Sequence, residues 1–273
     1  MWLSVVVKMW LAGVKYIKLS WRVFLANFSS EMSFRLSFFL RVVGIVIFFG
    51  GQFFVWTIFF NQFPMVGGWT TKDLILVYSL YLFSLSILDV FAGGVGDLSK
   101  VINAGSLDYY ISFPKPILWH IAVSKSDVSS LGSVVLSLVF FIYSSPLDPL
   151  RILLFLFASC FSIVLLFNFL VATQSIAFFI GGFDQGASAV RHLLAIVSPY
   201  PFSIFPSPFK YILMTVIPSF FVVTLPARLV NNFSVLNLLI LVLACVLSSF
   251  VSYKVFKAGL RRYESGNMVN VRL

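Results

Sequence analysis

Long apolar runs separated by short polar gaps set the pattern of this chain. Runs of roughly the twenty residues that a bilayer-crossing helix needs lie at 38–60, 74–95, 117–143, 151–180, 187–205 and 234–257, and they predict six membrane-spanning helices. The third begins in a polar half, Lys125-Ser126-Asp127, which should project from the bilayer. The fifth is barely long enough and is interrupted by Pro199 and Pro201. Residues 1–30 follow another rule. Lys8, Lys15, Lys18 and Arg22 recur at helical spacing on one face, with Trp2, Trp10, Leu11, Val14, Trp21 and Leu25 filling much of the rest. Such a helix lies along the membrane surface with its cations at anionic headgroups. Between 206 and 230, Pro206, Pro208, Pro218 and Pro226 cut an apolar stretch into pieces too short to cross. Broken backbone in lipid must be buried in protein or line a cavity, so two re-entrant half-helices are expected there.

The remaining long polar stretch is 97–116, a turn-rich insert between the second and third runs, where a plain connection needs only a few residues. Composition sharpens this picture. Of 273 residues, 60% are hydrophobic and only 10% charged, with a mean hydropathy of +1.02, more apolar surface than a soluble domain of this size can hide. The fold class is an all-α integral membrane protein, one transmembrane domain over 1–273.

The net charge of +10 would suit nucleic acid in a soluble protein, but here the basic residues flank apolar runs and form no basic domain. They read as topology signals and contacts with membrane lipids, and no nucleic-acid partner is expected. With the N-terminus inside, the inner side receives Lys8, Lys15, Lys18, Arg22, Arg35, Arg41, Lys100, Lys115, Lys125, Arg191, Lys254, Lys257, Arg261, Arg262 and Arg272. The outer side receives Lys72, Arg151, Lys210 and Arg228, a balance of fifteen to four that favours both ends in the cytoplasm.

Catalytic chemistry is scarce. No Gly-Lys pair occurs, so the chain has no P-loop and binds no ATP through one. Cys160 and Cys245 lie inside apolar runs as small core residues, and no metal spacing is present. Gly94-Val95-Gly96-Asp97 spells the motif of intramembrane aspartyl proteases, yet no second carboxylate faces it from another run; the glycines are expected to loosen the end of the second span. Ser188 and His192 resemble a nucleophile and base but sit one turn apart on one segment, near the surface. Asp89 is the one carboxylate well inside a run, with structural pairing the expected role and ion transport the competing one. Arg41 should snorkel, and Lys254, Lys257, Arg261 and Arg262 should anchor the last helix.

Ile102-Asn103-Ala104-Gly105-Ser106-Leu107-Asp108, followed by Pro114-Lys115-Pro116, resembles the signature after the second span of ATP-binding-cassette (ABC) type-2 permeases, in particular the six-span subfamily of bacterial export systems. Further blocks match in order: Glu31-Met32 with Arg35, Gly67-Gly68-Trp69-Thr70, Pro201 and Pro206, Ile217-Pro218 with Pro226-Ala227-Arg228, and Gly259-Leu260-Arg261-Arg262-Tyr263. The resemblance implies a permease in the bacterial inner membrane that meets a second permease, identical or related. Two separate ATPase subunits would drive the pair, and they, not this chain, would bind ATP and Mg. It makes 1–30 a connector helix and 97–116 a coupling helix docked on the ATPase through Lys100, Val101, Ile102, Asn103, Gly105, Ser106, Leu107, Asp108, Tyr109 and Tyr110. The path would run between the permeases, along spans one, two and five; Phe48, Phe49, Phe53 and Phe54 could line it, although such a stripe also suits helix packing or lipid. The chain itself would be no enzyme, and a path without midplane charge suits amphiphilic or apolar cargo. The alternatives are a standalone secondary transporter, a membrane-embedded enzyme, or the capturing subunit of an importer; the first needs buried midplane charge, and the last fits the 97–116 insert poorly.

Overall fold

The computed structural model describes residues 2–63, 65–144, 146, 148–200 and 202–263, and is 83% helical. Side chains before Tyr16, including Lys8, Lys15, Trp2 and Trp10, lie outside that description, as do Pro201 and Arg272. Helix α1 spans Trp2–Met32 and turns at Ser33-Phe34 into α2, Arg35–Gln62. A two-residue-per-strand hairpin, Met65–Val66 against Trp69–Thr70, leads into α3, Thr71–Ala92. Thr70 and Asp73 cap that helix reciprocally: the Asp73 N–H donates to the Thr70 hydroxyl oxygen, and the Thr70 N–H to the Asp73 carboxylate.

Helix α3 is the centre of the bundle. Of the residues in its most apolar stretch 72% are buried, against none in that of α2, which packs on α7. There Phe53 stacks on Phe140 at 4.9 Å, and Val42 packs on Gly132. After a 3₁₀ turn over Gly93–Asp97 come two short helices, α4 (Leu98–Asn103) and α5 (Leu107–Ile111), where a single coupling helix was expected. Gly105, at φ +68°, reverses the chain between them, a backbone conformation that costs glycine little.

The third apolar run is not one helix. It divides into α6 (Ile117–Val123) and α7 (Leu131–Ser144), bent by 68°. The polar stretch Ser124–Asp127 causes the break. Asp127 caps the turn that follows by accepting from the Ser129 N–H, and its own N–H donates to the Asp89 carbonyl at 3.0 Å.

Helix α8, Pro149–Gln174, opens on a proline, whose missing N–H costs nothing at a first turn. Helix α9 runs only Asp184–Val197 before Pro199 ends it, so at about 21 Å it is shorter than the roughly 30 Å hydrocarbon core. The expected fifth span, 187–205, is therefore not one continuous helix. The segment nevertheless runs the length of α3: Arg191 meets Asp89, Tyr200 packs on Trp56 at 4.8 Å, and the Ser203 hydroxyl donates to the Gly67 carbonyl in the hairpin.

Next come α10 (Ser207–Thr215), a π-helical turn over Phe220–Thr224 and α11 (Leu225–Asn231), with a bend of 78°. Both ends of this bent pair lie at the hairpin end of the bundle. Asn231 accepts from Arg151 at 2.6 Å and donates to Asp73 at 2.7 Å, while Ser203, just before α10, bonds the hairpin. Helix α12, Val235–Leu260, closes the fold. Among the described residues, four helical stretches can cross a membrane by length and composition, or six if each bent pair counts as one. Helix α1 is not among them.

Candidate functional site

The end of the bundle opposite the hairpin gathers the residues that the sequence singled out. Its root is the 3₁₀ turn Gly93–Asp97. A Cβ on Gly94 would stand 1.9 Å from the Ile121 carbonyl oxygen, and one on Gly96 would stand 2.1 Å from Arg191 Nη1. The glycines do not loosen the end of the second span, as expected from the sequence. They let the α6 backbone and the Arg191 guanidinium close on it.

Through the opening at Gly96, Arg191 reaches both carboxylate oxygens of Asp89, at 2.7 and 2.9 Å. The pairing expected for Asp89 is thus present, and an ion-carrying role would require a carboxylate that Arg191 already holds. Asp97 is bonded by Lys100 at 2.8 Å and also by Lys125. Asp89, Asp97, Lys125 and Arg191, with Glu31, Arg41 and Asp127, line a charged cavity of about 280 Å³ where α1, α2, α3 and α9 converge. Helix α1 is tied there as well. Asn27 donates to the Ser126 hydroxyl, the Val128 N–H donates to Glu31, and Phe24 packs on Phe91.

From this root α4 and α5 project as a two-sided platform. Leu98 and Leu107 are fully buried and Ile102 nearly so, all in the main apolar core with Val95 and Ile121. Polar bonds fix the same side to three other helix ends. The Ser99 N–H donates to Gln174 of α8 at 3.1 Å, Asn103 donates to Asp184 of α9 at 3.4 Å, and the Tyr263 hydroxyl after α12 donates to the Gly105 carbonyl at 2.9 Å. The opposite side carries Lys100, Ala104, Ser106, Tyr109, Ile111 and Ser112, all exposed, while Asp108, exposed as well, interacts with Tyr263. Tyr109, Tyr110 and Phe113 pack their rings around His120, at 5.0 to 6.0 Å. Val101, Asn103, Gly105 and Tyr110 are half-buried between the two sides.

Of the ten residues singled out, Ile102 and Leu107 therefore face the core, Lys100, Ser106 and Tyr109 face out, and Asp108 engages Tyr263. Ile111 and Ser112 extend the outer face and were missed; their exposure follows from the turn at Gly105, which sequence spacing does not carry. Ser188 and His192 both lie exposed on α9. Among the described residues no His, Cys, Asp or Glu cluster could hold a metal. Of the candidate path residues, Phe49 packs on Tyr78 and Phe53 on Phe140, while Phe48 and Phe54 are more than 60% exposed.

No curated protein and no solved structure matches the chain. A family model described as "ABC-2 family transporter protein" matches residues 46–266, which contain every element of the platform.

Proposed function

The chain belongs to the ABC-2 family of transporter proteins, and from that premise we propose that it is the permease of an ATP-driven exporter, with α4 and α5 as the part that receives the stroke. Family membership makes it a multi-pass membrane transport component, not a catalyst, that associates with ABC ATPases. The observation that carries the finer reading is the two-sidedness of the platform. Its inner side is bonded to the ends of α8, α9 and α12, and its outer side offers Tyr109 and Ile111, 59% and 44% exposed. Aromatic and apolar anchors of this kind dominate protein interfaces. A push on that face reaches the ends of three helices through these bonds.

In this reading two ATPase subunits, each with its own ATP and Mg, dock on two permeases of the bacterial inner membrane. Both chain ends are cytoplasmic and six spans cross. The bent pair α10–α11 is re-entrant, supported by the contacts that hold both its ends near the hairpin. The second permease, identical or related, meets the unburied face of α2, and amphiphilic or apolar cargo passes between the two. Native mass spectrometry of the tagged protein, extracted gently from its own membrane, tests this. Two permeases with two ATPases are expected; a chain that arrives alone from several mild detergents overturns it.

A further inference from the structure

A cavity of about 620 Å³ lies between α8, α12 and the turn after α10, away from the platform. Its walls are apolar: Phe169 and Ala172 of α8, Leu243, Leu247 and Val251 of α12, and Val216. Leu243, Leu247, Val251 and Val216 are each more than half exposed, so the cavity is a groove open along its side. The polar group on its floor is already satisfied. The Asn168 amide donates to Ser248 and Ser249 at 3.2 and 2.8 Å and accepts from Ser252 at 3.0 Å. Such a floor offers little to polar cargo and suits hydrocarbon. From Ile240 to Val255 the groove runs about 22 Å at the helical rise, past the middle of a roughly 30 Å hydrocarbon core.

One end of the groove is basic. The α12 face that lines it continues from Val251 and Val255 to Ala258, at steps of four and three, with Lys254 beside it and Arg262 in the turn just past the helix. The Arg262 guanidinium stands 5.2 Å over Phe179, just beyond α8, and Lys254 Nζ 5.2 Å over Phe250.

We infer that this groove binds an anionic phospholipid, its acyl chain along α8 and α12 and its phosphate between Lys254 and Arg262. The leaflet, the inner one, rests on the orientation proposed above; the site itself does not. Two cations near an anionic headgroup are worth about fivefold each, about twenty-five-fold together.

The test uses the purified full-length protein equilibrated with equal phosphatidylglycerol and phosphatidylcholine in mild detergent and read by native mass spectrometry. Phosphatidylglycerol should be retained about twenty-five-fold over phosphatidylcholine. Lys254→Ala with Arg262→Ala should remove most of that preference, the cations of α1 keeping the rest, and Lys72→Ala, at the far end of the bundle, should leave it unchanged. Phosphatidylglycerol with a photoreactive acyl chain should label α8 and α12 in the unaltered protein, a readout that needs no variant to fold. Equal retention of the two lipids, labelling confined to other helices, or cross-linking of α12 to α8 of a second copy would each overturn the site. The measurement carries no sidedness, so a reversed orientation would not mimic its failure.

Discussion

Arg191 holds both carboxylate oxygens of Asp89, at 2.7 and 2.9 Å, from 102 positions away in the chain. The bond joins the end of the central helix α3 to the short helix α9, and it passes through space that only a glycine at 96 leaves open.

Removing one partner should therefore hurt more than removing both charges. Arg191→Ala strands a mostly buried carboxylate, at a cost of up to about 3 kcal/mol, the lower end of the range because a third of the arginine side chain is exposed. Asp89→Asn combined with Arg191→Gln should recover most of that loss. Thermal unfolding of the single and double variants in detergent separates the two, and equal losses in both would mean that the stranded carboxylate costs nothing beyond the lost bond.

Gly94 and Gly96 should respond differently to a methyl group. Gly94→Ala drives Cβ into the Ile121 carbonyl, which is backbone, so α6 must shift, at about 1–3 kcal/mol. Gly96→Ala meets the end of a flexible side chain and displaces the Arg191 guanidinium. Its effect should vanish in an Arg191→Ala background, while that of Gly94→Ala persists; melting temperatures of the four combinations decide.

On the platform, exposure separates docking from folding. Tyr109→Ala with Ile111→Ala should lower cargo-stimulated ATP hydrolysis about tenfold while the permease still inserts and purifies as before. Leu107→Asp should instead deplete folded protein, since that side chain is fully buried. Full stimulation in the Tyr109 and Ile111 variant would remove the docking role from this face.

Orientation is open to direct labelling. With Cys160 and Cys245 replaced by alanine, cysteines at the exposed positions Lys72 and Ser207 should react with an impermeant maleimide in intact cells, and one at Lys100 should react only after lysis. The reverse pattern would invert the topology.

How much of this was legible in the sequence depends on the range of the signal. Apolar runs and lysine spacing belong to single helices, so α2, α3, α8 and α12, and the absence of α1 from the crossing helices, follow from pattern alone. The polar group Lys125-Ser126-Asp127 was visible, but that it breaks the third run into two helices depends on Asp127 bonding the Asp89 carbonyl, a tertiary contact. The fifth run looked marginal because of its prolines, and it does end early. What the sequence could not show was direction. Ile102 and Leu107 read as a partner's anchors by type, yet they face the core, because α4 and α5 turn at Gly105 and lie on the helix ends beneath them. Arg191 as the partner of Asp89 had no local signal at all.

The bond from Tyr263 to the Gly105 carbonyl makes the tail of the last helix a working component. A chain cut after Leu260 would keep all of α12 and lose that staple. Engineering at this end of the molecule is therefore not neutral: a fusion joined too tightly behind Tyr263 would pull on the turn between α4 and α5, so a label meant only for purification would strain this end of the bundle.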